Sequence, residues 1–407
     1  MVSKYDLLYS VFLNEGLTAA QLVKKLGKTQ YEYNTVYKHL KQLEEDRLVE
    51  SKRNNYFIKK GEKSKGFIKA IDFCFRNSID YNELFLEKTI EFIELGLKKP
   101  VLADLPFDNK TVSRIASFLS KHGFLLIESR KPFSARIVYS RFLETVVELF
   151  KGKVKVGCGK VFENVDEKKL NSQLEKEFSI FKKSSNQISL DDEVKFVHRS
   201  LSLEGITLTL SETERLIKEN IPPKTATFKE MQETADYKKA LDKLIADRIT
   251  LNLERVLDFH GIAMNSLEAG AGQIRKQNVR IKGNPDFKTA DWREIPTKLK
   301  ALFLFYAENI FEKMKAFEIV EMVSYLHSEF QRIHPFVDGN SRTARAIFVH
   351  TLIAKGFPLI AFPAGFIEQY MGLTKLSKKR NDKHFELLMK QLVLHSLKQT
   401  NQKLKYA

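Results

Sequence analysis

One stretch of this 407-residue chain concentrates groups that handle phosphate: HPFVDGNSRTAR, residues 334–345. His334 supplies a base that is neutral near pH 7. Asp338 offers an oxygen to magnesium, an ion usually held by one or two carboxylates together with substrate phosphates. Asp-Gly-Asn-Ser is a turn of small residues whose backbone N–H groups can curl into an anion nest. The helix that follows adds the positive end of its dipole. Arg342 and Arg345 stand on one helical face, where two guanidinium groups can neutralise phosphate oxygens. A base, a metal carboxylate, a nest and two arginines in so short a run form a kit for phosphoryl or nucleotidyl transfer.

Two helices must position that kit. Val323, Leu326, Phe330 and Ile333 keep helical spacing before it, and TARAIFVHTLIAKG continues after it, stopping at Gly356 with Pro358 beyond. From Asp191 onward the pattern is almost wholly helical. The exceptions are the Pro222-Pro223 break and residues 270–296, where glycines and β-formers predict a hairpin.

The front of the chain reads differently. Leu7, Leu8, Val11 and Phe12 form one apolar stripe, Thr18 caps AAQLVKKLG, and a third helix covers residues 31–46 with Val36, Leu40 and Leu43 inward. RLVES-KRNN-YFIKK then reads as strand, turn, strand. Three helices and a hairpin wing are the winged helix-turn-helix pattern, with Lys38 and Lys41 on its third helix and Lys52 and Arg53 on its wing. NTVYKHLKQLEEDRLVES is echoed by KTVSRIASFLSKHGFLLIES at residues 110–129, followed by a second wing carrying Arg130, Lys131 and Arg136. The expected plan is a winged helix-turn-helix at 1–62, a second at 63–145, a helical linker at 146–188 and the transferase body at 189–400.

Composition bounds the alternatives. Sixty-eight basic against 51 acidic residues leave a net charge of +17, densest at the front, which suits double-stranded DNA as a partner of the winged helices. The structural alternative is that these modules serve protein contacts. Two cysteines, Cys74 and Cys158, exclude a disulfide scaffold and a thiolate zinc site. His327 and His334 share a spacing but lack the further ligands zinc needs. His260 reads as a hydrogen-bonded core or capping histidine. No long charge-free apolar run and no signal pattern occur, so the expectation is a cytoplasmic protein without a membrane partner.

The run at 334–345 resembles the signature of the Fic family, His-x-Phe-x-Asp/Glu-Gly-Asn-Gly-Arg-x-x-Arg, departing from it only where Ser341 replaces the second glycine. The resemblance implies a mainly α fold: an all-helical Fic core with a β-hairpin flap, here preceded by α+β winged helix-turn-helix domains. It implies transfer of AMP from ATP to a Ser, Thr or Tyr hydroxyl of a target protein, the chain itself included, with Mg²⁺ required and a homodimer among the expected assemblies. His334 would deprotonate the hydroxyl and Asp338 would hold Mg²⁺. Gly339, Asn340 and Ser341 would grip the α- and β-phosphates, Arg342 would meet the β-phosphate and Arg345 the γ-phosphate, with Phe336 as a buried anchor. Ser341 fits a helix N-terminus, yet it weakens nucleotide binding if the position demands positive φ.

Two further stretches fit the same family. GAGQIRKQNVRIKGN lies where the flap belongs, so Gln273, Ile274 and Arg275 would position the target as an added strand. RSLSLEGI resembles the family's inhibitory motif, Ser/Thr-x-x-x-Glu-Gly/Asn. There Glu204 would pair with Arg345 and occupy the place of the γ-phosphate. The same glutamate can orient a water for removal of AMP. Tyr370 reads equally as a border of an adenine pocket or as helical core. The alternative function is a DNA-binding transcriptional regulator whose Fic domain senses nucleotide or transfers another phosphate-containing group.

Overall fold

Ser3 and Thr18 start the first two helices by the same device. Each side chain accepts a hydrogen bond from the backbone three residues on, and the acid or amide found there bonds back to the cap. The computed structural model describes residues 2–27, 32–184, 188–224, 226–246, 251–281, 284–310, 313–377 and 379–404. Its backbone separates into two units, Met1–Leu102 with Arg141–Cys158, and Ala103–Ser140 with Gly159–Ala407.

The first unit opens with α1 (Lys4–Leu13), β1 (Leu17–Thr18), α2 (Ala19–Lys25), α3 (Tyr33–Glu45), β2 (Val49–Lys52) and β3 (Asn55–Ile58). The strands form an antiparallel sheet in the order β1-β3-β2, with Val49 opposite Ile58. Of the predicted stripes, Phe12, in the last turn of α1, is exposed, whereas Leu7, Leu8, Val11, Leu22, Val36, Leu40 and Leu43 are fully enclosed. Each such side chain contributes about 1.5–3 kcal/mol of burial. Lys38 is exposed on α3. Lys41 pairs with Glu44 and Lys52 with Glu50, both at 2.7 Å, so two of the four cations expected to face a polyanion already have partners. Tyr31, expected in the third helix, lies outside the described residues. Helices α4 (Glu62–Arg76), α5 (Tyr81–Leu84) and α6 (Glu87–Lys98) complete this unit with a helix at Arg141–Lys151. Tyr5, Phe67, Phe85 and Phe150 interlock there edge to face.

The second unit begins with α7 (Asn109–Lys121) and the hairpin β4 (Leu125–Arg130) and β5 (Phe133–Ile137). These elements sit on the C-terminal helices of the same unit. The N–H of Gly365 donates to His122 O at 3.0 Å, and Lys398 Nζ donates to Ile127 O at 3.2 Å. A Cβ at Gly365 would stand 2.2 Å from Gly123 O, so that approach requires glycine. The division differs from the sequence plan. Residues 63–145 are shared between the two units, and Leu126 of β4 joins the core formed by the later helices. Residues 146–188 are likewise more than a connector. After α8 (Arg141–Lys151), helix α9 (Glu167–Lys182) buries Leu170, Leu174, Phe178 and Phe181 in the large core. Residues 185–187 of the expected linker lie outside the described set.

That core is built by α10 (Leu190–Ser202), α11 (Leu210–Glu219), α12 (Phe228–Ala246), α13 (Leu253–Ala263), α14 (Ile295–Asn309), α15 (Ala316–Ile333), α16 (Asn340–Ala354), α17 (Ala364–Leu373) and α18 (Asp382–Leu404). Among the described residues the named elements from α10 onward are all helices, as expected. Buried Lys390 of α18 ties three elements by pairing with Glu167 at 2.9 Å, Glu386 at 2.9 Å and Glu321. The hairpin predicted over 270–296 does not form among the described residues. A single bridge joins Ile281 to Asn284, residues 282 and 283 lie outside the described set, and turns occupy the rest. Within this stretch the Arg275 guanidinium takes the carbonyls of Gln277 and Ala290. No described helix is long and apolar enough to cross a membrane.

Candidate active site

α15 and α16 hold the signature between them, and the turn joining them is held by its own side chains. His334 caps α15 with left-handed backbone (φ 53°), and Gly339 reverses the chain at φ 77° to start α16. A Cβ on Gly339 would stand 2.7 Å from Met264 Sδ and 3.0 Å from His260 Nε2, so a larger residue has no room. Asn340 is buried, and both its polar atoms go to one residue. Oδ1 accepts from Phe336 N–H at 3.0 Å, and Nδ2 donates to Phe336 O at 2.9 Å. The carboxamide expected on phosphate therefore clamps the turn instead. Phe336 is the enclosed anchor predicted for it. Ser341, the second residue of α16, has helical backbone, so glycine's freedom is not required there.

A cavity of about 640 Å³ opens over this turn, lined by His334, Asp338 to Arg342, Glu204 and Glu233 among others. His334 Nδ1 lies 3.2 Å from Gln331 O. A carbonyl only accepts, so Nδ1 carries the proton and Nε2 keeps its lone pair. Burial pushes the His334 pKa down to about 4, opposed in part by that hydrogen bond, so the ring is neutral at pH 7.

Asp338 is 64% exposed and faces the cavity. Its Oδ1 accepts from Gly339 N–H at 2.7 Å, and its Oδ2 pairs with Arg342 Nη2 at 3.1 Å. Arg342 is buried and also pairs with Glu233 of α12, leaving its Nε without a protein partner. Glu233 was not among the sequence candidates. Its partner lies 109 residues away, and a single glutamate in a helix carries no local signal. Burial raises its pKa against the pull of Arg342.

Arg345 is almost wholly enclosed. Nε donates to Ser200 Oγ at 2.8 Å, and Nη2 donates to Ser200 O at 2.9 Å and to Glu204 Oε1 at 2.7 Å. Lys375 Nζ stands 3.8 Å from Glu204 Oε2. Burial raises the Glu204 pKa, but Arg345 and Arg342 outweigh it and the net shift is downward, so the carboxylate is ionised at neutral pH. Tyr370 OH lies 3.0 Å from His327 Nε2, deep in the core.

The segment expected to present Gln273, Ile274 and Arg275 along one edge does not do so. Gln273 is exposed, Ile274 packs against the core, and Arg275 is buried. Arg275 N–H donates to Pro335 O at 2.9 Å, and its Nε donates to His334 O at 2.8 Å. His260 lies beside it. Its Nδ1 accepts from Gly272 N–H at 2.8 Å, which leaves Nε2 as the donor to Asp338 O at 3.0 Å. Its ring also stacks on Phe336 at 3.6 Å.

Residues 250–352 match the model of the Fic/DOC family. The protein adenylyltransferase Fic of Drosophila persimilis is 22% identical over 234 residues, covering 55% of this chain and 45% of that protein. That of Drosophila grimshawi is 23% identical over 193 residues, covering 46% and 39%. The chain spans about half the length, or less, of these curated relatives. Fic-1 from C. elegans superposes with a TM-score of 0.50 at 14% identity, over 79% of this chain and 94% of that one, a likeness of fold. A Fic-domain signalling protein from Bacteroides thetaiotaomicron gives 0.49 at 18% identity, over 58% and 98%. Over residues 250–352 the chain is thus similar to the Fic/DOC family.

Proposed function

We propose that this domain is a protein adenylyltransferase that moves AMP from ATP to a protein hydroxyl and is held down by Glu204. The observation that carries the reading is that His334, whose Nδ1 is engaged by Gln331 O, lines the same cavity as the turn from Asp338 to Arg342. In the proposed step His334 Nε2 takes the proton of the target hydroxyl as its oxygen bonds the α-phosphorus. The bond from that phosphorus to the bridging oxygen breaks, and pyrophosphate leaves with the electron pair. The N–H groups at the start of α16 and the guanidinium of Arg342 face the phosphates. Arg345 takes the γ-phosphate once Glu204 moves away.

The residues fit a magnesium ion. Asp338 presents an exposed carboxylate at the cavity, and magnesium needs few protein oxygens when phosphates supply others. Asp338 would hold it, and the bound ion would offset phosphate charge. In this reading Glu204 also orients a water for the reverse task. In that step water oxygen bonds the phosphorus of an AMP-modified protein, His334 Nε2 takes one water proton and passes it to the protein oxygen, which leaves with the electron pair of its bond to phosphorus, and AMP is released. Incubation of the Glu204→Gly chain with ATP tests the reading: label on the α-phosphate should enter protein and label on the γ-phosphate should not. Entry of γ-label alone would make the reaction a phosphoryl transfer.

A second reading concerns the first unit. We propose that α1 to β3 act as a winged helix-turn-helix on duplex DNA, which would make the chain a regulator whose Fic domain responds to nucleotide. It is favoured by the exposed Tyr37 and Lys38 on α3 and by Arg53 at the tip of the β2–β3 hairpin.

A further inference from the structure

His334 holds a left-handed backbone (φ 53°) that a residue with a Cβ seldom adopts unless its surroundings fix it. The groups that fix it come from one short segment. Arg275 is 3% exposed, and its guanidinium is spread over three carbonyl oxygens: Nε to His334 at 2.8 Å, Nη1 to Gln277 at 2.5 Å and Nη2 to Ala290 at 2.6 Å. Its own N–H adds a bond to Pro335 O. Two consecutive carbonyls of the signature turn are therefore held by one residue. Three positions earlier in sequence, Gly272 N–H fixes the acceptor nitrogen of His260, whose other nitrogen holds Asp338 O.

We propose that Arg275 is the positioning residue for the base His334, and that His260 is the corresponding strut for Asp338. Neither touches the reacting atoms. Arg275 grips the His334 peptide through its carbonyl, so the imidazole can donate to Gln331 O and keep Nε2 free. A lysine offers one compact charge and cannot span three carbonyls in a fixed plane. His260 acts on the other end of the turn, where the anion nest begins. The two struts should therefore fail differently. Loss of Arg275 disturbs the base and lowers kcat, whereas loss of the His260 bond disturbs the nest and raises the KM for ATP.

The test uses the full chain carrying Glu204→Gly, with Arg275→Lys, Arg275→Gln, His260→Gln and His260→Phe added singly. The inference rests on the adenylyl-transfer reading for its kinetics, so a second readout does not: the ring-nitrogen NMR shifts of His334 with ¹⁵N-labelled histidine. The expected result is a fall in kcat of at least about tenfold with little change in KM for both Arg275 variants, together with loss of the Nδ1–H tautomer signature of His334. For His260→Phe the expected result is a raised KM with the His334 signature intact, partly rescued in His260→Gln, which can still donate. Arg275 variants that keep both kcat and the tautomer signature overturn the inference. So do variants that lose kcat and ATP binding in parallel with a lowered melting midpoint, since that is a role in folding alone. A parent that transfers no label, while Arg275→Lys still shifts the His334 signature, upholds the positioning role and removes the transfer reading.

Discussion

The Arg345 guanidinium donates a 2.7 Å hydrogen bond from Nη2 to Glu204 Oε1 across 141 residues of chain, in a setting where only 1% of the arginine side chain is exposed. A charge-assisted bond of this kind contributes roughly 1.5–3 kcal/mol, equivalent to about a ten- to hundredfold change in an equilibrium. Replacing Glu204 by glycine should raise the initial rate of label transfer by that factor at fixed ATP. The double substitution Glu204→Gly with Arg345→Ala should be silent. An unchanged rate in the single variant, with its fold verified, would show that the pair is structural only.

Asn340 makes a different prediction from the one its family resemblance implies. Both its polar atoms close the turn on Phe336, so Asn340→Ala leaves a buried N–H and a buried carbonyl unpaired. The cost is about 1–3 kcal/mol for each group left bare. Thermal denaturation should show a clearly lowered midpoint in the absence of nucleotide. A variant as stable as the parent but unable to bind ATP would return Asn340 to the phosphates.

Acid should loosen the second unit through its histidines. Burial lowers His122, His260 and His395 to about 4 and His327 to about 3, whereas the unfolded chain takes up these protons near pH 6.5. Between those limits the unfolded state binds more protons, so stability is full above about pH 6.5 and declines as pH falls toward 4. A tenfold weaker hold on one proton corresponds to about 1.4 kcal/mol, so the loss should reach several kcal/mol. Melting midpoints at pH 7 and pH 5 measure it, and equal midpoints would contradict neutral burial of these rings. The paired carboxylate Glu167, lowered to about 2, adds its own loss only below about pH 4.5.

The first unit gives a prediction about salt. The full chain should retard duplex DNA at low ionic strength, with affinity falling steeply as salt rises, because lysine and arginine contacts release counterions. Lys38 and Arg53 should matter more than Lys41 and Lys52, whose charges are engaged by Glu44 and Glu50. Retardation that survives replacement of Lys38 and Arg53 would move the contact elsewhere.

The site was legible where its chemistry is local. The turn from His334 to Arg345 is contiguous, and its flanking helices follow from apolar spacing. Glu204 was reachable only through a resemblance, because nothing local ties it to Arg345. His260, Glu233 and the inward role of Arg275 were not legible as site contacts: their partners lie 78, 109 and 59 residues away, and each is an ordinary residue of its own segment. The same cause moved the boundaries. The α7 hairpin echoes the front of the chain in pattern, but Leu126 of its first strand joins the core of the later helices and Lys398 bonds Ile127 O. Where Gly270 to Asn284 promised strand pairing, a buried guanidinium takes the carbonyls of Gln277 and Ala290, and turns stand in place of the ladder.

The central claim is that His334 takes the proton of the attacking hydroxyl, and one comparison tests it most directly. In the Glu204→Gly chain, the rate of transfer from α-labelled ATP is measured beside the equilibrium affinity for ATP, with and without His334→Ala. The arginine and the nest proposed to bind phosphate do not depend on the imidazole, so affinity should stay within about twofold, whereas loss of the base should lower transfer by at least about 10²-fold. Transfer at the parent rate with His334 absent would contradict the account.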